Sequence, residues 1–224
     1  MRTEERLAAR QLRAQRLWRE EQMLVESTCV YAGVDEAGRG ALAGPVVAAA
    51  VVLNGPPERW VFVDDSKSLT YRQREALYER ILRDAAAVSV GFASAAEIDE
   101  MNILQAARLA MGRAVEGLSV PVGLVLADGP YAPVFPTRPL RAVPVIDGDA
   151  RCLSIAAASI VAKVARDRWM RGQAGAYPAY GFERHVGYGT PEHLSALATH
   201  GPTPLHRRSF APVRRACQAT LGIW

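Results

Sequence analysis

Four acids sit where they could do chemistry together. Asp35 and Glu36 are adjacent and run straight into a glycine-rich turn, Gly38-Arg39-Gly40 with Gly44. Asp128 follows the apolar run Leu124-Val125-Leu126 and precedes Gly129-Pro130. Asp149 lies between the apolar stretch Val143–Ile146 and a long helical pattern. Carboxylates at the ends of buried strands lose hydration and repel one another, so a cluster of them is costly without cations. Hard oxygen ligands of this kind suit Mg²⁺ or Mn²⁺. Two such ions roughly 3.5–4 Å apart can activate a water and stabilise a leaving oxygen in phosphodiester cleavage. Taken singly each acid reads as less: an Asp-Gly turn, a helix N-cap, or solvent-facing turn residues.

These acids need strands and helices to hold them. Val30–Asp35 and Pro45–Leu53 read as two strands joined by the glycine turn. Thr70 with Gln73 is a capping box opening a helix to Arg83, and Ser94 with Glu97 is another, followed by helical segments through Gly117. Ala87–Ser94, Gly123–Ala127 and Arg141–Ile146 read as further strands. A long helix spans Leu153–Arg171, with Ser159, Lys163 and Asp167 on one polar face at i, i+4, i+8. Arg166-Asp167 reads as an ion pair, within the helix or to another element. Thr190-Pro191 starts a short helix and Ser209–Leu221 forms a last one. Hairpin strands first and strand–helix alternation later indicate an α/β fold, a mixed sheet flanked by helices.

Residues 1–26 form a charged helical extension whose thin stripe of Leu7, Leu12, Leu17 and Leu24 suggests an exposed appendage rather than a core element. Residues 27–224 form the other unit. The 224 residues carry a net charge of +4, compatible with a polyanionic partner. Of 27 basic residues all but Lys67 and Lys163 are arginine, so these two lysines mark places where a compact ammonium could serve. No run reaches the ~20 apolar residues of a membrane span. The arginine- and glutamate-rich start has no apolar signal core, so the expected location is cytoplasmic. Cys29, Cys152 and Cys217 are odd in number and scattered, which argues against disulfides and a cysteine zinc site. The four histidines, His185, His193, His200 and His206, lack a metal-ligand pattern and read as loop and packing residues.

Tyr31-Ala32-Gly33-Val34-Asp35-Glu36-Ala37-Gly38-Arg39-Gly40, continued by Ala43-Gly44-Pro45-Val46-Val47, closely resembles the signature of the ribonuclease HII family. Further matches follow in order: Asp65–Leu69, Ile98–Leu104, Ala127–Gly129, Ala157–Asp167, Tyr180–Phe182, His185–Thr190 and His206–Phe210. The resemblance implies a ribonuclease-H-like fold with a C-terminal helical extension, here residues 173–224. It implies hydrolysis of the RNA strand of RNA–DNA hybrids and incision on the 5′ side of single ribonucleotides in duplex DNA. Carried over by position, Asp35, Glu36, Asp128 and Asp149 become the metal-binding catalytic carboxylates, with Mn²⁺ or Mg²⁺ as cofactor. Gly38-Arg39-Gly40 becomes the turn that senses the ribose 2′-hydroxyl, and Tyr188 the ring that packs on the following sugar. Lys67 becomes a phosphate contact; Lys163 becomes that or a partner to an acid on its helix.

Two features depart from the pattern. Asp147-Gly148-Asp149 stands where family members often have a lysine before Gly-Asp, which leaves two candidate acids, with spacing in favour of Asp149. The segment before residue 27 is outside the motifs. The intact glycine-arginine-glycine turn argues against the related ribonuclease HIII branch. Two rivals, a binding module without catalysis and a nucleotide-phosphate enzyme, are disfavoured by the full set of acids and by the lack of Walker or dinucleotide spacing. The chain is expected to be monomeric, with a sliding-clamp partner left open.

Overall fold

The computed structural model describes residues 2–26, 29–63 and 70–220. In chain order the elements are α1 (Arg2–Gln22), β1 (Tyr31–Ala37), β2 (Val46–Val52), α2 (Tyr71–Asp84), β3 (Ala87–Ala93), α3 (Ala95–Met101) and α4 (Ile103–Glu116). They continue with β4 (Leu124–Asp128), β5 (Ala142–Val145), α5 (Gly148–Arg151), α6 (Leu153–Gly172), α7 (Phe182–His185), α8 (Pro191–His200) and α9 (Ala211–Thr220). The Asp65–Leu69 motif, and Lys67 with it, lies outside the described residues.

The strands form one mixed sheet in the order β3-β2-β1-β4-β5. β2 is antiparallel to both β1 and β3, whereas β4 runs parallel to β1, and β5 to β4. Every residue of β2 is buried, because helices cover both faces of the sheet. On one face α4 presents Ala106, Ala107, Ala110 and Ala114. On the other, α6 presents Ala157, Ala158, Val161 and Ala162. Alanine-rich faces let both helices lie close to the strands. This is the ribonuclease-H-like layering that the resemblance implied.

Local signals hold where partners are close in sequence. Both capping boxes form with reciprocal bonds, at Thr70/Gln73 and Ser94/Glu97. Thr190 caps α8 by accepting from the His193 amide. β1, however, runs past Asp35 to Ala37, because Glu36 and Ala37 still pair with Ala48 and Val47 of β2. α9 starts at Ala211, since the Arg208 and Ser209 amides bond Asp99 instead of opening a helix. All three cysteines are free thiols. No helix among the described residues is long and apolar enough to cross a membrane.

The first helix is less detached than its leucine stripe implies. Leu7 and Leu12 are indeed exposed, but Ala14, Leu17 and Glu21, at i, i+3 and i+7, are buried against the body. Ala14 and Leu17 join the cluster beneath α6. Glu21 Oε2 accepts from the Ser154 amide at 3.0 Å. Cys152, at the N-cap position of α6, makes no side-chain cap bond, so α1 supplies the missing acceptor from another part of the chain. A carboxylate there also meets the positive end of the helix dipole. Burial pushes the Glu21 carboxyl above its usual range, outweighing the Ser154 hydrogen bonds that hold it down.

Glu21→Ala should lower stability by about 1–2 kcal/mol, the loss expected for a missing cap. Glu21→Gln keeps an acceptor and removes a buried charge. Because the folded-state pKa of Glu21 is raised, its carboxyl favours folding at low pH and progressively less as pH rises. Thermal melts should therefore show Glu21→Gln gaining on wild type between pH 5 and pH 8, and a constant difference would contradict the buried-charge account.

Candidate active site: a four-carboxylate cleft

The parallel pairing of β1 with β4 ends at Val34 opposite Ala127, so the next residues, Asp35 and Asp128, stand side by side where these two strands stop pairing. They stand at the C-terminal ends of parallel strands, where open α/β sheets bind ligands. Glu36 follows on β1, and Asp149 enters from α5 after β5. All four acids line one cleft of about 450 Å³, together with Gly38, Arg74, Ser159, Lys163 and Tyr188.

Asp35 is only 6% exposed, and its Oδ1 accepts from the Glu36 amide at 2.6 Å. Burial first, then the charges of Glu36 and Asp128, push its carboxyl well above the ordinary range. Burial raises Glu36 too, partly opposed by the Arg39 guanidinium, whose Nη1 donates to Oε1 at 3.2 Å. Asp128 is raised by burial and then by Asp149, while the Gly148 amide donates to its Oδ1 at 2.7 Å. Bringing these groups together ionised is therefore unfavourable, and a divalent cation would relieve it. Among the described residues no three carboxylates, imidazoles or thiols form a ready-made ion cage. The donor set still fits Mg²⁺ or Mn²⁺, which are commonly held by one or two carboxylates with water and substrate phosphates completing the shell.

The chain between β5 and α6 separates the two candidate acids near residue 148. Asp147 adopts a left-handed conformation (φ 53°) and is exposed. Asp149 lines the cleft. Gly148 makes the turn fit: a Cβ there would lie 3.0 Å from Asp128 Oδ1 and 2.7 Å from Ile155 Cδ1.

Around the acids sit the other residues singled out in the sequence. Lys163 faces the cleft and also bonds Asp167 Oδ1 at 2.8 Å, one helical turn away, so the acid on its own helix holds it. The expected ion pair of Arg166 with Asp167 does not form. Asp167 pairs with Lys163 and Arg171, while Arg166, fully buried, donates to the carbonyls of Ala43, Pro45 and Val186. Adjacent helical residues point different ways, and Arg166 faces the loops. Arg39 and Gly40 are exposed at the turn, whereas Gly38 is buried with φ 92°. Tyr188 is half-buried on the cleft wall, 5.4 Å from Lys163 Nζ and 5.2 Å from Arg166 Cζ as measured to its ring centroid.

Three of the histidines pack as expected, but in an ordered chain. His193 Nδ1 donates to the Tyr188 carbonyl at 2.9 Å, and its Nε2 lies 3.0 Å from His206 Nε2. His206 Nδ1 accepts from the Thr203 amide at 3.0 Å. His185 and His193 stack with ring centroids 4.5 Å apart, and His200 is exposed. Burial holds all three inner rings below their usual pKa, His206 at about 4, so they stay neutral. Arg74 was not foreseen as a cleft residue, since nothing in an arginine-rich sequence sets it apart. The roles of Arg166 and Arg207 as internal braces were not foreseen either.

Comparison with known proteins gives a consistent set of likenesses. The family model described as Ribonuclease HII matches residues 32–213. A ribonuclease HII of Geobacillus kaustophilus is 54% identical over 190 residues, covering 84% of this chain and 71% of that protein. The ribonuclease H2 of Pyrococcus horikoshii superposes with TM-score 0.69 at 29% identity, covering 84% of this chain and 97% of the other. The ribonuclease HII of Archaeoglobus fulgidus, solved as a complex with PCNA, superposes with TM-score 0.65 at 27% identity, over 81% and 95%.

The raised carboxyls have a consequence for the metal-free protein. Groups with elevated folded-state pKa values favour folding below the ordinary carboxylate pKa of about 4, and lose that contribution as pH rises through the raised values. Asp35→Asn keeps the acceptor for the Glu36 amide and removes one charge. In chelator at pH 8 it should raise the melting temperature by about 2–4 °C, the shift for about 1 kcal/mol in a chain of this size. A fall in melting temperature would contradict the repulsion described here.

Proposed function

Since this chain belongs to the ribonuclease HII family, and is thus a ribonuclease H acting on RNA–DNA hybrids, we propose that the four-carboxylate cleft performs the hydrolysis and also incises duplex DNA 5′ of a single ribonucleotide. The observation that carries this reading is the convergence of Asp35, Glu36, Asp128 and Asp149 in one cleft, with the Gly38 turn and Tyr188 beside them. Residues 27–224 would form the catalytic unit, with residues 1–26 supporting it through Glu21.

Asp35, Glu36, Asp128 and Asp149 would hold the divalent ions, Mn²⁺ or Mg²⁺. When bound, such ions supply a water of lowered pKa and neutralise charge on the departing oxygen. The protein's own groups do the rest. The Glu36 and Gly148 amides fix the carboxylates of Asp35 and Asp128 in place. Lys163 and Arg74, with Lys67, would neutralise phosphates flanking the scissile bond. Gly38-Arg39-Gly40 lets backbone groups approach the ribose 2′-hydroxyl, the group that separates RNA from DNA. The Tyr188 ring would pack on the next sugar, where a deoxyribose fits and an added hydroxyl does not. Cleavage leaves 3′-hydroxyl and 5′-phosphate ends. The enzyme is proposed to act as a monomer, and the PCNA complex of the Archaeoglobus relative keeps a clamp partner among the proposals. Duplex binding should weaken steeply with salt, because it rests on phosphate contacts.

Two variants test the assignment. Asp35→Asn should cut an RNA–DNA hybrid at least on the order of 10³-fold more slowly, consistent with losing several kcal/mol of metal-assisted stabilisation, while duplex affinity persists. Hybrid cleavage at the wild-type rate would end the reading. Tyr188→Ala should depress incision at a single ribonucleotide about tenfold more than hybrid cleavage, the effect of roughly 1.4 kcal/mol at the sugar. Equal losses on both substrates would remove Tyr188 from junction recognition.

A further inference from the structure

We propose that Arg166 is a positioning residue that fixes the distance between the 2′-hydroxyl-reading turn and Tyr188, and thereby sets the preference for a ribonucleotide–DNA junction. This rests on the sugar-reading roles proposed above for the turn and for Tyr188.

Arg166 lies on α6 with no solvent exposure, yet among the described residues no carboxylate pairs with it. Its fork instead joins two loops. Nε and Nη2 donate to Pro45 and Ala43, where the glycine turn re-enters the sheet, at 3.1 Å each. Nη1 donates to Val186, two residues before Tyr188, at 3.0 Å. The same guanidinium flanks both sugar-facing residues. A Cβ on Gly38 would lie 1.8 Å from Nε, and the Tyr188 ring centroid is 5.2 Å from Cζ.

A buried cation bonded only to neutral carbonyls is costly to keep, because dipoles replace its hydration imperfectly. What the guanidinium offers in return is a rigid planar fork that can hold three acceptors at once, which a lysine cannot do. Arg207 braces the opposite side of the turn, donating to Gly44 at 3.0 Å and Arg39 at 2.8 Å. The outer edge is closed by the Leu42 amide bonding Gly187 at 2.8 Å. Of these contacts, the Arg166 guanidinium is the one that reaches the turn, the Tyr188 loop and the ring together.

The spacing matters more for one substrate than for the other. At a single ribonucleotide, the turn must meet the one available 2′-hydroxyl while Tyr188 meets the following deoxyribose. On a hybrid every RNA residue offers a hydroxyl, and no deoxyribose follows in that strand. A loosened turn–tyrosine distance should therefore impair junction incision selectively.

The test measures kcat/KM on a duplex with one ribonucleotide and on an RNA–DNA hybrid, for wild type, Arg166→Lys, Arg166→Gln and Tyr188→Ala, with circular dichroism as the fold check. Arg166→Lys and Arg166→Gln should each lower the junction-to-hybrid ratio at least tenfold, while hybrid cleavage falls less than threefold. Parallel loss on both substrates, an unchanged ratio, or unfolding of both Arg166 variants would each assign Arg166 a structural role and overturn the proposal. If Tyr188→Ala lowers the ratio and the Arg166 variants do not, the positioning role alone fails. If Tyr188→Ala also leaves it unchanged, the underlying sugar reading fails with it.

Discussion

Mutual repulsion among four carboxylates is the constraint around which the site is organised. Parallel β1 and β4 deliver Asp35 and Asp128 to the same sheet edge, and the short α5 adds Asp149. Their burial raises the cost of ionisation at Asp35, Glu36 and Asp128. The surrounding structure resists that cost from several directions. Main-chain amides hold Asp35 and Asp128, Arg39 bonds Glu36, and helices pack both faces of the sheet with small residues. A fold that maintains such a cluster in a cleft is poised to accept divalent cations and a polyanion.

The glycine turn and the Tyr188 loop depend on a second unfavourable placement, two arginines buried beneath them. Arg166 and Arg207 donate to main-chain carbonyls at residues 39, 43, 44, 45 and 186. The neutral histidine chain adds a bond to the carbonyl of Tyr188 itself. The loops beside the acids are thus held by side-chain bonds to their backbones, which leaves Tyr188 and the turn free to face the cleft.

Much of this was legible in the sequence where the partners are neighbours. Capping boxes at Thr70 and Ser94 and the buried run of β2 are local signals, and they placed the elements within a few residues. That Asp35 and Asp128 would meet depends on strand order and register across more than ninety positions, which only the family resemblance supplied. The partners of Arg166 are hidden from the sequence for the same reason. The neighbouring acid suggests an ion pair, but the Arg166 partners are carbonyls far away in sequence and Asp167 is taken by Lys163 and Arg171. The first helix looks detached in sequence because its buried face pairs one leucine with an alanine and a glutamate, and a buried glutamate resembles a solvated one until Ser154 is placed beside it. That Asp149 lines the cleft while Asp147 is exposed depends on a left-handed residue and a glycine that no periodicity reveals.

In the proposed function, a metal-holding acid cleft and a sugar-reading turn work as one site. Its most direct test is end-mapping on a labelled DNA duplex carrying one ribonucleotide, beside the all-DNA duplex of identical sequence, with Mn²⁺ or Mg²⁺ and with chelator. The expected result is a single divalent-dependent incision on the 5′ side of the ribonucleotide, with a 3′-hydroxyl and a 5′-phosphate at the cut, and an intact control. Comparable cutting of the all-DNA duplex, or incision away from the ribonucleotide, would contradict it.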